Sequence, residues 1–93
     1  MDLLYKKYLI DIIIALKNEP LAFNEIQSQL KIYSDTLSRR LKELEQLGII
    51  EASIIKDYKG KRVRYKLTQK GNKIAPLLNE AMKTLEKAEE LLY

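Results

Sequence analysis

Apolar positions along the chain fall into three stretches of helical period, one that alternates, and a fourth helical stretch. In "DLLYKKYLIDIIIALKN" (2–18) residues 3, 4, 8, 9, 12, 13 and 16 recur with the period of a helix, and Asp2 stands where a cap would start it. Tyr5, Ile10 and Ile14 add a second apolar stripe, so this helix is expected to be buried on two sides, once in its own domain and once against a partner chain. Pro20 is expected to end it. In "LAFNEIQSQLKI", Asn24 can cap a helix of about two turns running through Leu30, with Ile26 and Leu30 turned inward. Lys31 to Tyr33 make a short turn, and Ser34 is the expected N-cap of "SDTLSRRLKELEQLG", where Leu37, Leu41, Leu44 and Leu47 share a stripe. Gly48 occupies the position at which a helix commonly ends in a left-handed residue.

After Gly48 the period changes from helical to alternating. "IIEASII" (49–55) and "RVRYKL" (62–67) are rich in β-branched and aromatic residues, and "KDYKG" between them supplies Asp57 and Gly60 for a turn. In the second strand Val63, Tyr65 and Leu67 alternate with Arg62, Arg64 and Lys66, giving one apolar and one basic face. Thr68 caps a last helix, Gln69 to about Leu92, in which Gly71 is tolerable and Pro76 is expected to kink the chain near residues 72–75. Along it Ile74, Leu78, Ala81, Leu85, Ala88 and Leu92 alternate spacings of four and three, a coiled-coil seam. No repeat, low-complexity tract or linker interrupts the pattern, so residues 1–93 read as a single domain with 69–92 as its dimerisation helix. Three helices, a two-stranded basic hairpin and a long helix make a mainly α (α+β) fold. Their order is that of a winged helix-turn-helix with a two-stranded β wing.

Composition narrows the function. At 93 residues and 46% hydrophobic content there is material for one modest core, which a second subunit would help to complete. The chain has no Cys and no His, which removes disulfides, thiol redox sensing and the usual ligands of structural zinc and sensory transition metals. The commonest general base and the thiol nucleophile are absent as well, so an enzyme is not expected, nor a metal or cofactor. "YLIDIIIAL" is too short for a membrane span and carries Asp11, so a cytoplasmic, nucleoid-associated protein is expected. Richness in Ile, Lys, Glu and Tyr would suit a thermophile or an AT-rich genome. The net charge of +4 is concentrated in one place: residues 56–73 hold eight Lys or Arg against one Asp. Such a cluster on an otherwise balanced chain is the electrostatic footprint of a polyanion partner, of which nucleic acid is the commonest.

Three phrases, "EPLAFNEIQSQL", "LSRRLKELEQLGIIEA" and "RVRYKLTQKGNKIAPLL", resemble the HxlR-type family of winged-helix transcriptional regulators, and more distantly the MarR and PadR types. The likeness spans residues 9 to 85 and is densest in "RLKELEQLGII" and "YKLTQKG". It implies a regulator that binds double-stranded DNA. Members that sense oxidants or electrophiles use a Cys near the first helix, and here there is none; an acidic residue is common where Arg64 stands.

In a helix-turn-helix the second helix enters the major groove, about 12 Å wide, N-terminal part first. With Leu37, Leu41 and Leu44 inward, the outer arc holds Asp35, Ser38, Arg39 and Lys42, with Thr36 at its margin. Arg39 is the foremost base reader, since bidentate contact with guanine discriminates by about 1–3 kcal/mol. Asp35 could accept from cytosine or simply favour the helix N-terminus. Arg40, nearer the core edge, is assigned to a phosphate, as are Ser34 and Tyr33 at the mouth of the helix. At the wing, Lys59, Lys61 and Arg62 would straddle the minor groove while Lys56, Arg64 and Lys66 meet phosphates; Tyr58 fits either a sugar or the hairpin itself. Tyr5 and Ile10 of the first helix, with Leu78, Ala81, Leu85, Ala88 and Leu92 of the last and Tyr93 nearby, are the expected contacts of a homodimer. The economy of a small dimer favours a repressor. An architectural DNA-coating protein of little sequence preference is the alternative, and a winged-helix protein-interaction module fits the charged wing less well.

Overall fold

The computed structural model describes residues 6–58 and 60–93. Its elements follow the order α1 (Leu9–Ala15), α2 (Phe23–Leu30), α3 (Ser34–Gln46), β1 (Ile50–Asp57), β2 (Gly60–Leu67) and α4 (Gln69–Leu92). This is the expected winged helix-turn-helix. The core is built from every element: Leu9, Ile12 and Ile13 of α1, Ile26 of α2, Leu37, Leu41 and Leu44 of α3, Ile50 and Leu67 at the base of the hairpin, and Ala75 of α4.

α1 is shorter than its apolar pattern suggested. Tyr8 is left-handed (φ 72°) and sets the start of α1 at Leu9; Asp2, the expected cap, lies outside the described residues. It ends at Ala15 with Leu16 N–H on the Ile12 carbonyl, well before Pro20. Pro20 instead leads an extended segment: Leu21 N–H donates to the Tyr65 carbonyl (3.0 Å) and Tyr65 N–H to the Leu21 carbonyl (2.7 Å), joining the approach to α2 to the wing.

α2 starts one residue before the Asn24 expected to cap it. Ala22 is the N-cap, and because it has no side-chain acceptor, only the reverse half of a capping box forms: Glu25 Oε1 accepts from Ala22 N–H at 2.9 Å. The turn into α3 is as expected, with Lys31 left-handed (φ 53°) and Ile32 buried beneath it. α3 also begins earlier than its cap residue predicts, since Ser34 is its first helical residue and Tyr33 its N-cap, without a side-chain hydrogen bond. At the other end, Gly48 N–H donates to the Glu45 carbonyl and Ile49 N–H to that of Leu44, both at 3.0 Å, with Gly48 at φ 72°. This is a Schellman termination, and its apolar contact is supplied by Leu44 and Ile49, both core residues. Leu47, placed on the inner stripe by spacing, is the C-cap and is exposed, because the helix ends there.

β1 and β2 pair antiparallel from Ile50–Leu67 at the base to Asp57–Gly60 at the tip. Tyr65, half-buried against the core, has its phenol pushed up by burial and then by the charge of Glu45. Thr68 caps α4 as expected, its Oγ1 accepting from Gly71 N–H (3.1 Å). The same hydroxyl lies within donor reach of the Gly48 and Ile49 carbonyls, and Lys70 Nζ reaches the Leu47 carbonyl at 2.8 Å, so the start of α4 is fastened to the end of α3. α4 continues as one helix through Pro76. Only its first turns are docked: Gly71 and Ala75 are buried, and Ile74 and Leu78 pack on the core. The remainder projects, which accounts for the long dimension of the 50 × 26 × 23 Å molecule and a radius of gyration of 14.3 Å. A compact chain of this length would have about 12 Å.

Candidate nucleic-acid interface

The core decides which side of α3 is available. Leu37, Leu41 and Leu44 are buried, so the 100° step per residue leaves Ser34, Asp35, Ser38, Arg39 and Lys42 exposed on the outer arc, with Thr36 half-buried at its margin. Arg39 and Lys42 make no ion pair or side-chain hydrogen bond with another described residue.

Arg40 is placed differently. Its side chain is only 12% exposed, and it donates through Nε to the Lys7 carbonyl (3.1 Å) and through Nη1 to both oxygens of Glu43 (3.2 and 3.1 Å). Glu43 also receives Lys6 Nζ at 2.7 Å. The Lys6 hydrogen bond holds the Glu43 carboxyl below the usual range; burial opposes this, and the Arg40 and Lys6 charges add to it. The sequence assigned Arg40 to a phosphate; in the folded chain its guanidinium ties α3 to the segment entering α1.

On the wing, alternation along the paired strands puts Glu51, Ser53 and Ile55 on one face with Lys66, Arg64 and Arg62, and Ala52, Ile54 and Lys56 on the other with Tyr65, Val63 and Lys61. The expected division into an apolar and a basic face holds only near the base. Val63 is half exposed because the hairpin outruns the core it lies on, and Lys56 and Lys61 bring charge to the apolar face at the tip. Arg64, expected at a phosphate, donates to Glu25 Oε1 (2.9 Å) and, at 3.5 Å, to the Pro20 carbonyl. It clasps the wing to α2 beside the Leu21–Tyr65 bridge. Lys66 pairs with Glu51 at 3.4 Å. Lys56, Lys61 and Arg62 remain exposed near the tip, as does the Tyr58 ring; Lys59 lies outside the described residues.

Among the described residues, the outer arc of α3 and the wing tip thus both offer cations without acidic partners, which suits phosphate and base edges. Among the same residues no cluster of acids is arranged to hold a metal ion, and no helix is long and apolar enough to cross a membrane.

Of the expected dimer contacts, Tyr5 lies outside the described residues, Ile10 is half-buried, and Leu78 packs partly on its own core. Ala81, Leu85, Ala88 and Leu92 line the projecting part of α4 and are exposed. Sequence reasoning missed the Arg64–Glu25 clasp and the Lys6–Glu43–Arg40 cluster. The spacing of Arg40 and Glu43 in the helix was a signal for one pair; the contacts of Lys6 and Arg64, 37 and 39 residues from their partners, have no local signature.

The family model described as HxlR-like helix-turn-helix matches residues 3–91. The chain belongs to the HxlR-like family. It is 38% identical over 84 residues, 89% of its own length and 77% of the other's, to YvaP, an uncharacterized HTH-type transcriptional regulator of Bacillus subtilis (strain 168). Among solved structures, the reduced form of the transcriptional regulator YodB from B. subtilis matches with a TM-score of 0.78 at 35% identity, over 88% of this chain and 80% of that one. A possible HxlR family transcriptional factor from Thermoplasma volcanium GSS1 matches with a TM-score of 0.81 at 32% identity, over 96% and 80% of the two chains. HxlR-like proteins are transcriptional regulators and not enzymes, and this chain is one of them, with a helix-turn-helix fold that binds double-stranded DNA.

Proposed function

We propose that the chain is a sequence-specific regulator acting as a homodimer in the cytoplasm, with helix 34–47 in the major groove and wing 56–66 on the flanking backbone or minor groove. The observation that carries this reading is the outer arc of α3: Ser34, Asp35, Ser38, Arg39 and Lys42 are exposed together while the inner arc is fully committed to the core. Arg39 is the base reader, Lys42 and Ser34 hold the helix in register, and Asp35, Thr36 and Ser38 line its entrance. Arg40 and Arg64 contribute through the positions they fix. Lys59, Lys61 and Arg62 belong to the wing contact.

The homodimer is supported by the exposed seam of α4, where Ala81, Leu85, Ala88 and Leu92 recur at coiled-coil spacing beyond the reach of the core. Pairing two chains sets two recognition helices about 34 Å apart, one turn of DNA, and reads a pseudo-palindrome. Repression by occlusion of a promoter is the simplest output of such a dimer. A labelled duplex from upstream of the chain's own gene, titrated with unlabelled random DNA at physiological salt, tests specificity. A preference of about 10³ or more is expected for a regulator. Equal displacement by random DNA would contradict binding at its own promoter and favour an architectural role.

A further inference from the structure

We propose that the exposed apolar pair Ile54–Val63 is itself a DNA contact, packing on the deoxyribose wall of the minor groove while Lys56 and Lys61 beside it take phosphates. This rests on the reading of the wing as part of the DNA interface, and adds to it the part of the duplex that the wing touches.

The strand register carries the inference. From base to tip, one face of the hairpin presents Ile50–Leu67, Ala52–Tyr65, Ile54–Val63 and Lys56–Lys61 as successive cross-strand pairs. The first is buried at 2% and 7%, whereas Ile54 and Val63 stand 68% and 51% exposed. β-propensity alone explains Ile and Val in a strand. It does not explain the next pair, in which two lysines lie directly opposite one another, an arrangement that destabilises a bare hairpin. Of the two acids on the paired strands, Glu51 is near the base and already engaged by Lys66, and Asp57 falls at the other parity of the register, across from Gly60.

An occupant that covers both pairs would be anionic where it meets Lys56 and Lys61 and apolar immediately beside that point. An acidic protein segment would satisfy the lysines but leave Ile54 and Val63 against carboxylates. An apolar protein surface would cover the pair and strand two ammonium groups at its margin. A DNA backbone alternates phosphate with the C–H surface of the sugar, and its minor groove, about 6 Å wide, presents that surface on both walls.

The test separates apolar from ionic contributions in the full chain binding a mixed-sequence duplex. The Ile54→Thr/Val63→Thr variant keeps the β-branched shape at two exposed positions. It should bind about tenfold more weakly at every salt concentration, with the slope of log affinity against log salt unchanged. Lys56→Gln/Lys61→Gln should instead flatten that slope, by nearly one unit for each phosphate that is no longer neutralised. Parental affinity in the threonine variant would overturn the proposal. So would a weaker affinity accompanied by a changed sedimentation coefficient of the free protein, which would make the pair a contact between copies. Methyl-to-sugar proton NOEs from Ile54 in the complex of the unsubstituted chain check the same contact without a variant, and their absence in an otherwise assigned complex would also overturn it. If the unsubstituted chain bound no duplex, the DNA reading itself would fail.

Discussion

Gly71 lies in the first turn of α4 against the backbone of Ile49, and a Cβ there would be driven into the Ile49 carbonyl and to within 3.2 Å of the Leu67 side chain. That carbonyl cannot yield easily, since it accepts from Thr68 N–H at 3.0 Å and lies 3.1 Å from the Thr68 hydroxyl. Gly71→Ala should therefore lower stability by about 1–3 kcal/mol, although Ala is favoured over Gly within a helix by about 1 kcal/mol. A denaturant midpoint at or above the parent's would contradict the close approach. Nothing local in the chain signals this, because Gly near a helix start is tolerable on propensity and its cost or benefit depends on the Ile49 carbonyl, more than 20 positions away.

Glu43 makes a second test. Its folded-state pKa is lowered, chiefly by Lys6, so its pairing stabilises the fold above the ordinary carboxylate range and is lost as pH falls through the lowered value. Glu43→Gln should cost about 1 kcal/mol at neutral pH, since the Lys6 side chain is 42% exposed and the Gln amide oxygen still offers Arg40 an acceptor. The difference from the parent should shrink toward zero in acid. A difference that grew on acidification would contradict the assignment.

Helix periodicity placed α2, α3 and α4 to within a residue or two, and alternation placed both strands, because one face of each is buried and the pattern records which. What it could not place were starts set by backbone alone: Ala22 and Tyr33 cap without side-chain acceptors, so Asn24 and Ser34 drew the boundary inward. The stripe on α1 was legible, but its start depends on a left-handed Tyr8, which no local pattern announces. Of the candidate interface, the outer arc of α3 was legible from the leucine stripe. The internal engagement of Arg40 and Arg64 was not, because charge sequence does not reveal which cation a distant acid will hold. The α4 seam makes a separable prediction. Leu85 is 58% exposed and outside the core of its own chain, so Leu85→Lys should preserve helical content while lowering the molecular mass in light scattering and weakening DNA binding. An intact dimer would contradict the seam.

For the molecule as a whole, α4 is docked on the core by its first turns and exposed along the rest, while the outer arc of α3 and the wing tip face outward with cations unpaired among the described residues. Thr68 and Lys70 fasten α4 to the end of α3, and the Leu21–Tyr65 bridge with Arg64–Glu25 fastens the wing to α2. In the proposed dimer, a partner held on α4 would carry its own α3 through the same contacts, so the spacing of the two helices would follow from the α4 pairing. In the proposed complex two chains read one duplex in this fixed geometry, and hydroxyl-radical footprinting on a selected operator tests that most directly. Two symmetry-related major-groove contacts are predicted, centred about 34 Å apart, each flanked by minor-groove protection that Lys61→Ala/Arg62→Ala removes. A single protected patch, or protection spread evenly along the duplex, would contradict it.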